Sequence, residues 1–247
     1  MKLEGAVVVV TGASKGIGHA IAEEMGHNGA KVAVNYFHSQ EPAEELVAKL
    51  RQSGGEAIAI QADVADQAQA TRLIEETVQG FGRIDVLVNN AGINIDRSLK
   101  NLSGEDWNKV IQTDLYGSFY TIKAAYPYFS VQKSGAIINI SSQTAYTGMF
   151  GQLNYAAAKA GILGLTKSAA LELARFHVTV NAICPGYIAT EMYEAMPDRA
   201  KEAAAQRIPL GRVGTPQEVA RAVRYLIIDG DWITGQSLDI NGGMYMR

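Results

Sequence analysis

Tyr155 and Lys159 stand four residues apart in Tyr155-Ala156-Ala157-Ala158-Lys159, a spacing that sets a phenol and an ammonium on one face of a helix. A free phenol titrates near pH ~10, and a neighbouring ammonium favours its phenolate, so such a pair can exchange a proton closer to neutral pH. With eleven tyrosines and eleven lysines in 247 residues, the spacing arises by chance about 0.5 times, so its weight depends on context. Ser141-Ser142 supplies that context. The pair ends a β-branched run thirteen residues upstream of Tyr155, and ligands of open α/β sheets sit at the C-terminal ends of strands. Two hydroxyls there, Ser142 and Tyr155, can donate hydrogen bonds to a substrate oxygen on which negative charge develops.

The first apolar run leads directly into Thr11-Gly12-Ala13-Ser14-Lys15-Gly16-Ile17-Gly18, after which Ala20, Ile21 and Met25 read as a helix. Glycines at a strand-to-helix turn admit positive φ, let a pyrophosphate approach the backbone, and let the helix pack closely on the sheet. Their position after the first strand and before a second is the context a dinucleotide loop requires. An NAD site normally presents Asp or Glu near the end of the second strand, where this chain has Asn35-Tyr36-Phe37-His38. Without that carboxylate a ribose 2′-phosphate meets no repulsion, and Lys15 can pair with it, so NADP(H) is the expected cofactor. Asp63-Val64, after the third strand, is placed to meet the adenine. Asn90, Ala91 and Gly92, closing the fourth, suit a close backbone approach, although turn chemistry accounts for both segments equally well.

The elements that must hold these groups are legible as short β-branched runs alternating with longer amphipathic stretches. Seven strands are expected, at Ala6–Val10, Lys31–Asn35, Glu56–Gln61, Ile84–Asn89, Gly135–Ser141, Val178–Cys184 and Ser237–Ile240. The pattern predicts a single α/β domain over 1–247, a Rossmann-type doubly wound parallel sheet with helices on both faces. Ser103-Gly104-Glu105-Asp106 and Thr215-Pro216-Gln217-Glu218 carry helix N-cap signatures. The stretch 186–209 breaks the rhythm and is expected to be a substrate loop or lid rather than a helical decoration.

A formal net charge of -3 offers no basic footprint for nucleic acid, and the apolar run at Ala6–Val10 is too short to span a bilayer, so neither is expected as a partner. A lone cysteine, Cys184, rules out an internal disulfide or a cysteine zinc cluster and suits a reducing cytoplasm. His19, His27, His38 and His177 fall at no metal-ligand spacing, and no metal is expected.

Taken together, Thr11-Gly12 with Gly16-Ile17-Gly18, Asn89-Asn90-Ala91-Gly92, Ser142, Tyr155 with Lys159, and Pro185-Gly186 resemble the signatures of the short-chain dehydrogenase/reductase family, in order and over essentially the whole chain. The resemblance implies that Ser142 binds the substrate carbonyl oxygen and that Tyr155 is the general acid in reduction. It also implies that Lys159 contacts the nicotinamide ribose, and that Ile188 and Thr190, following Pro185-Gly186, border the nicotinamide amide. It further implies a homotetramer, and the apolar segments 115–120 and 160–165 look buried on more than one side.

One position departs from the family's pattern: Asp114 stands where its catalytic set usually has asparagine. The expectation is that the main-chain oxygen does the work there; the alternative is a carboxylate close to Lys159. Within the family, Phe150, Gln152 and Tyr187 resemble the pocket of acetoacetyl-CoA reductases, whereas the ending Gly242-Gly243-Met244-Tyr245-Met246 resembles 3-oxoacyl-[acyl-carrier-protein] reductases. Reduction of acetoacetyl-CoA to (R)-3-hydroxybutyryl-CoA is the expected reaction, and an acyl-carrier-protein thioester is the alternative. Acyl carrier proteins are acidic, and Lys133 and Arg175 are the candidates for a basic rim. A non-catalytic nucleotide sensor on the same fold is the remote alternative.

Overall fold

In the computed structural model, which describes residues 1–246 with the Ala200 side chain excepted, seven parallel strands form one sheet of order β3-β2-β1-β4-β5-β6-β7. The final residue of the expected domain lies outside the described residues. The strands are β1 (Val7–Val10), β2 (Lys31–Tyr36), β3 (Ala57–Gln61), β4 (Val86–Asn89), β5 (Gly135–Ile140), β6 (Val178–Pro185) and β7 (Ser237–Ile240). All seven expected strands are present, with ends displaced by at most two residues.

Helices fill the connections: α1 (Gly16–His27), α2 (Gln40–Gln52), α3 (Gln67–Phe81), α4 (Gly104–Val110), α5 (Gly117–Gln132), α6 (Thr144–Thr147), α7 (Leu153–Leu173), α8 (Glu191–Glu194), α9 (Asp198–Gln206) and α10 (Pro216–Ile228). The four valines of β1 are all buried because both faces of the sheet are covered. Val8 and Val10 pack with Ile21 and Met25 of α1 and Val219 and Val223 of α10, while Val9 packs with Leu73 of α3 and Phe129 of α5. Each such side chain contributes about 1.5–3 kcal/mol on burial, which is why a continuous β-branched run belongs in the centre of this sheet.

Local signals set the helix starts. Asp66, Ser103 and Thr215 each accept a first-turn N–H, and Thr215 with Glu218 completes a reciprocal capping box. The stretch 186–209 forms the short helices α8 and α9 at the sheet's C-terminal edge.

Strand order reverses between β1 and β4, which pair directly through Val8 and Val86, so a crevice opens beyond their C-terminal ends. Between α4 and α5 the helix widens into a π-helical stretch, Ile111–Tyr116, that turns Asp114 inward. Such widenings recur at functional sites because the extra residue re-aims a side chain without ending the helix.

Candidate active site

The glycine loop lies at the reversal. Gly12 has φ +60°, and a Cβ there would come within 2.9 Å of Ala91 Cα, so the loop after β1 and the loop after β4 touch backbone to backbone. Thr11 and Asn90 lock that contact. Thr11 Oγ1 accepts the N–H groups of Asn90 and Ala91 at 2.9 and 3.0 Å, and Asn90 Nδ2 donates to the carbonyls of Thr11 and Gly12 at 2.9 and 3.1 Å. Ser14, Lys15 and Gly16 line a groove that they share with Thr190 and Glu191. Ile17 and Gly18 belong to the first turn of α1, whose N-terminus carries partial positive charge suited to an anion.

Asn35 takes a different place from the one expected of it. It is buried, with Oδ1 accepting the Gly12 N–H at 3.1 Å and Nδ2 donating to the carbonyls of Tyr36, Ile60 and Ala62 at 3.3, 3.2 and 3.1 Å. Asn35 therefore braces the glycine loop from beneath and turns no side-chain atom toward a ribose. The exposed end of β2 belongs to Phe37, whose ring lies 3.7 Å from that of His38. Lys15, expected to meet a 2′-phosphate, pairs with Glu191 of α8 at 3.0 Å, and both side chains are exposed. Asp63 closes a local turn by accepting the Ala65 N–H at 2.9 Å, and Val64 is buried under Gly117.

Tyr155 and Lys159 are brought together as their spacing implies. α7 carries Tyr155 and Lys159 on one face, with the ammonium 5.4 Å from the centre of the phenol ring. Ser142, just beyond β5, accepts the Thr144 N–H at 3.1 Å, and its hydroxyl favours the ionised form of the Tyr155 phenol. Lys159 Nζ donates to the Ile140 carbonyl at 3.0 Å and lies 3.1 Å from Asp114 Oδ2. Asp114 Oδ1 accepts the Ile93 N–H at 2.9 Å, while its main-chain oxygen accepts from Ser118 Oγ at 2.8 Å. The Asp114 carboxylate thus stands close to Lys159, the alternative arrangement, while its main-chain oxygen accepts from Ser118.

Burial and charge act jointly on this cluster. Burial pushes the Tyr155 phenol above its ordinary value, with Lys159 pulling it back and Asp114 pushing it further up. Burial opposes the Lys159 charge, but Asp114 and Tyr155 outweigh it and the ammonium is held above its ordinary range. Burial raises Asp114 as well, against the pull of Lys159 and the Ile93 N–H. Lys159 therefore moderates the phenol rather than making it a strong acid.

On the far side of the crevice, Gly186 donates its N–H to the Ile240 carbonyl at 2.9 Å, and the Pro185 carbonyl accepts from the Gln143 N–H at 3.0 Å. Ile188 is buried, and Thr190 caps α8. Tyr187 is half-buried, 6.2 Å from the ring of Tyr193. Gln152 Nε2 lies 3.5 Å from Asp96 Oδ2 at the cleft mouth. Phe150 is 93% exposed. Lys133 and Arg175 precede β5 and β6, at the opposite end of the sheet from Ser142. A six-residue strand spans roughly 20 Å, too far for either residue to form a rim to this chain's own site.

Asn154, Ser118 and Glu191 were not expected from sequence. Asn154 Nδ2 reaches the carbonyls of Ile95 and Asp106 at 3.2 and 3.4 Å, pinning the start of α7 to the loop after β4. Its place beside Tyr155 was the only available signal, because the partners are remote in sequence. Among the described residues no three or more His, Cys, Asp or Glu gather as a metal site, and no helix is long and apolar enough to cross a membrane.

Residues 12–245 match a family model described as enoyl-(acyl carrier protein) reductase. The chain is 48% identical over 239 residues to the 3-oxoacyl-[acyl-carrier-protein] reductase FabG of Staphylococcus aureus, covering 96% of this chain and 97% of that protein. It is 48% identical over 246 residues to the 3-oxoacyl-[acyl-carrier-protein] reductase of a Synechocystis species, covering 99% and 98%. Among solved structures, a dehydrogenase/reductase from Sinorhizobium meliloti superposes with a TM-score of 0.94 at 36% identity, over 99% of this chain and 98% of that one.

Proposed function

The chain belongs to the short-chain dehydrogenase/reductase family, and from that premise we propose that it reduces a 3-oxoacyl thioester to the (R)-3-hydroxyacyl thioester with NADPH, the acyl group being carried by acyl carrier protein. The single observation that carries the chemistry is Tyr155 with the Lys159 ammonium 5.4 Å from its ring on one face of α7, beside Ser142 at the end of β5 and the strand ends that border the glycine loop. A nucleotide sensor would need no such trio.

The residues present fit a dinucleotide. Gly12 leaves no room for a Cβ beside Ala91, the α1 N-terminus stands open behind Gly16, and the groove beside Ser14 and Lys15 runs toward Thr190. When bound, the cofactor supplies a hydride to the carbonyl carbon. Ser142 and Tyr155 would hold the carbonyl oxygen between two hydroxyl donors, stabilising the negative charge that grows on it. The Tyr155 proton then passes to that oxygen, and the Lys159 ammonium steadies the phenolate left behind. Support for NADPH over NADH comes from the lack of a carboxylate in Asn35-Tyr36-Phe37-His38 and from Lys15 at the mouth of the groove.

Two facts move the weight from coenzyme A, expected from Phe150, Gln152 and Tyr187, toward acyl carrier protein. The relatives are named for that carrier, and Phe150 projects into solvent. A cytoplasmic setting and a homotetramer go with this assignment. The decisive assay follows NADPH oxidation side by side with acetoacetyl-[acyl-carrier-protein], acetoacetyl-CoA and a simple ketone. The carrier-protein thioester should have the highest kcat/KM. A higher value with acetoacetyl-CoA would restore coenzyme A, and faster turnover of the plain ketone would refute the thioester assignment.

A further inference from the structure

The ion pair between Asp114 and Lys159 is closed to solvent, with both side chains at most 4% exposed. The carboxylate is fixed at both oxygens, Oδ1 by the Ile93 N–H and Oδ2 against Nζ. Gly92 makes the approach possible, since a Cβ there would lie 2.8 Å from Asp114 Oδ2 and 3.2 Å from Lys159 Nζ. Ser118 Oγ donates to the main-chain oxygen of Asp114 at 2.8 Å. The pair is therefore a built feature of the site, made by the π-helical stretch, the loop after β4 and α7 together.

We propose that Asp114 is a positioning residue that neutralises Lys159 through this ion pair and thereby carries keto reduction to higher pH than an uncharged side chain at the same place would allow. The inference rests on the reductase reading above for the direction in which the proton moves.

The physical ground is the charge of the whole cluster. Facing it are Tyr155 and Lys159 from α7, Asp114 from the π-helical stretch, Asp96 from the loop after β4, Cys184 from β6, and the Ser142 hydroxyl and Ile140 carbonyl from β5 and its end. With Asp114 ionised, Lys159 and Asp114 cancel, and the first proton to leave, from phenol or ammonium, creates net negative charge away from water. With a neutral residue the cluster starts positive, and the same loss makes it neutral. Interacting groups titrate as one unit, so each step of the deprotonation moves to lower pH when the carboxylate is removed, whichever atom gives up the proton. Reduction needs the phenol protonated, so its basic limb must follow.

Asp114→Asn is close to isosteric and keeps an acceptor for the Ile93 N–H. Two readouts test it. Phenolate absorbance, taken as the difference between each protein and its Tyr155→Phe counterpart, isolates the Tyr155 titration without substrate or cofactor. The pH profile of kcat for NADPH-dependent reduction gives the kinetic limb. Both midpoints should fall by about one to three pH units, the usual effect of a single charge at this range. Ser118→Ala, which releases only the main-chain oxygen, should leave the absorbance midpoint in place. An unmoved midpoint in Asp114→Asn, or an equal shift in Ser118→Ala, would overturn the assignment. If the native protein reduces none of the thioesters, the proposed function fails while the absorbance titration still decides the role of Asp114. Should the asparagine variant not fold, Asp114→Ser, also uncharged, is read by the same absorbance difference.

Discussion

By sequence reasoning, Asn35→Asp should set a ribose-binding carboxylate at the end of β2 and turn preference toward NADH. The tertiary structure points to a folding defect instead. The amide nitrogen of Asn35 faces three carbonyl oxygens at 3.1–3.3 Å, which share its two hydrogens, and replacing it with a carboxylate oxygen turns these into three oxygen–oxygen contacts. An uncompensated buried charge, the lost hydrogen bonds included, costs about 3–5 kcal/mol, with only the Gly12 N–H left to offset it. A loss of roughly 3–5 kcal/mol is expected, a large part of the stability of an ordinary domain.

The sign of its pH dependence follows. A carboxyl buried among carbonyls has a folded-state pKa above its unfolded value of about 3.9. The charge penalty is therefore absent below the unfolded pKa, grows as pH rises through it, and levels off above the folded value. Urea unfolding, followed by tryptophan fluorescence at about pH 5 and about pH 8, measures both the size and the slope. A variant within about 1 kcal/mol of the native protein at both pH values, with a clean change to NADH, would refute the bracing role of Asn35.

Three further outcomes are expected. Lys15→Met should lower the NADPH-to-NADH ratio of kcat/KM by about tenfold or more, the worth of a charge-assisted hydrogen bond, and Glu191→Gln should raise it by freeing Lys15 from its present partner; a ratio unmoved by either change would exclude Lys15 as the 2′-phosphate ligand. Tyr155→Phe should cut kcat by about 10²–10⁴ while NADPH affinity stays nearly intact, and an equal loss of both would mark a structural tyrosine. Light scattering at micromolar concentration should show an oligomer, since Tyr116, Phe119, Leu153 and Leu171 are 45%, 44%, 47% and 83% exposed around α5 and α7 in the single chain; a monomer would contradict it.

The sequence by itself determined the sheet, the glycine loop and the Ser142, Tyr155 and Lys159 trio, because each is written in short-range form. β-branched runs at strand length specify doubly buried strands, glycines at a strand-to-helix turn specify a backbone path, and a four-residue spacing specifies a helix face. Only the tertiary structure decided what Asn35, Asp114, Lys15, Lys133 and Arg175 do. Asn35 finds its carbonyl partners on β3 and just beyond it, 25 and 27 residues away. Asp114 reaches Lys159 only through the π-helical stretch, and Lys15 meets Glu191 across the crevice. Lys133 and Arg175 are removed from the site simply by standing at the wrong end of β5 and β6. A polar side chain acquires its role from the partner it meets, and that partner is chosen by the packing of elements distant in sequence, which local periodicity does not encode.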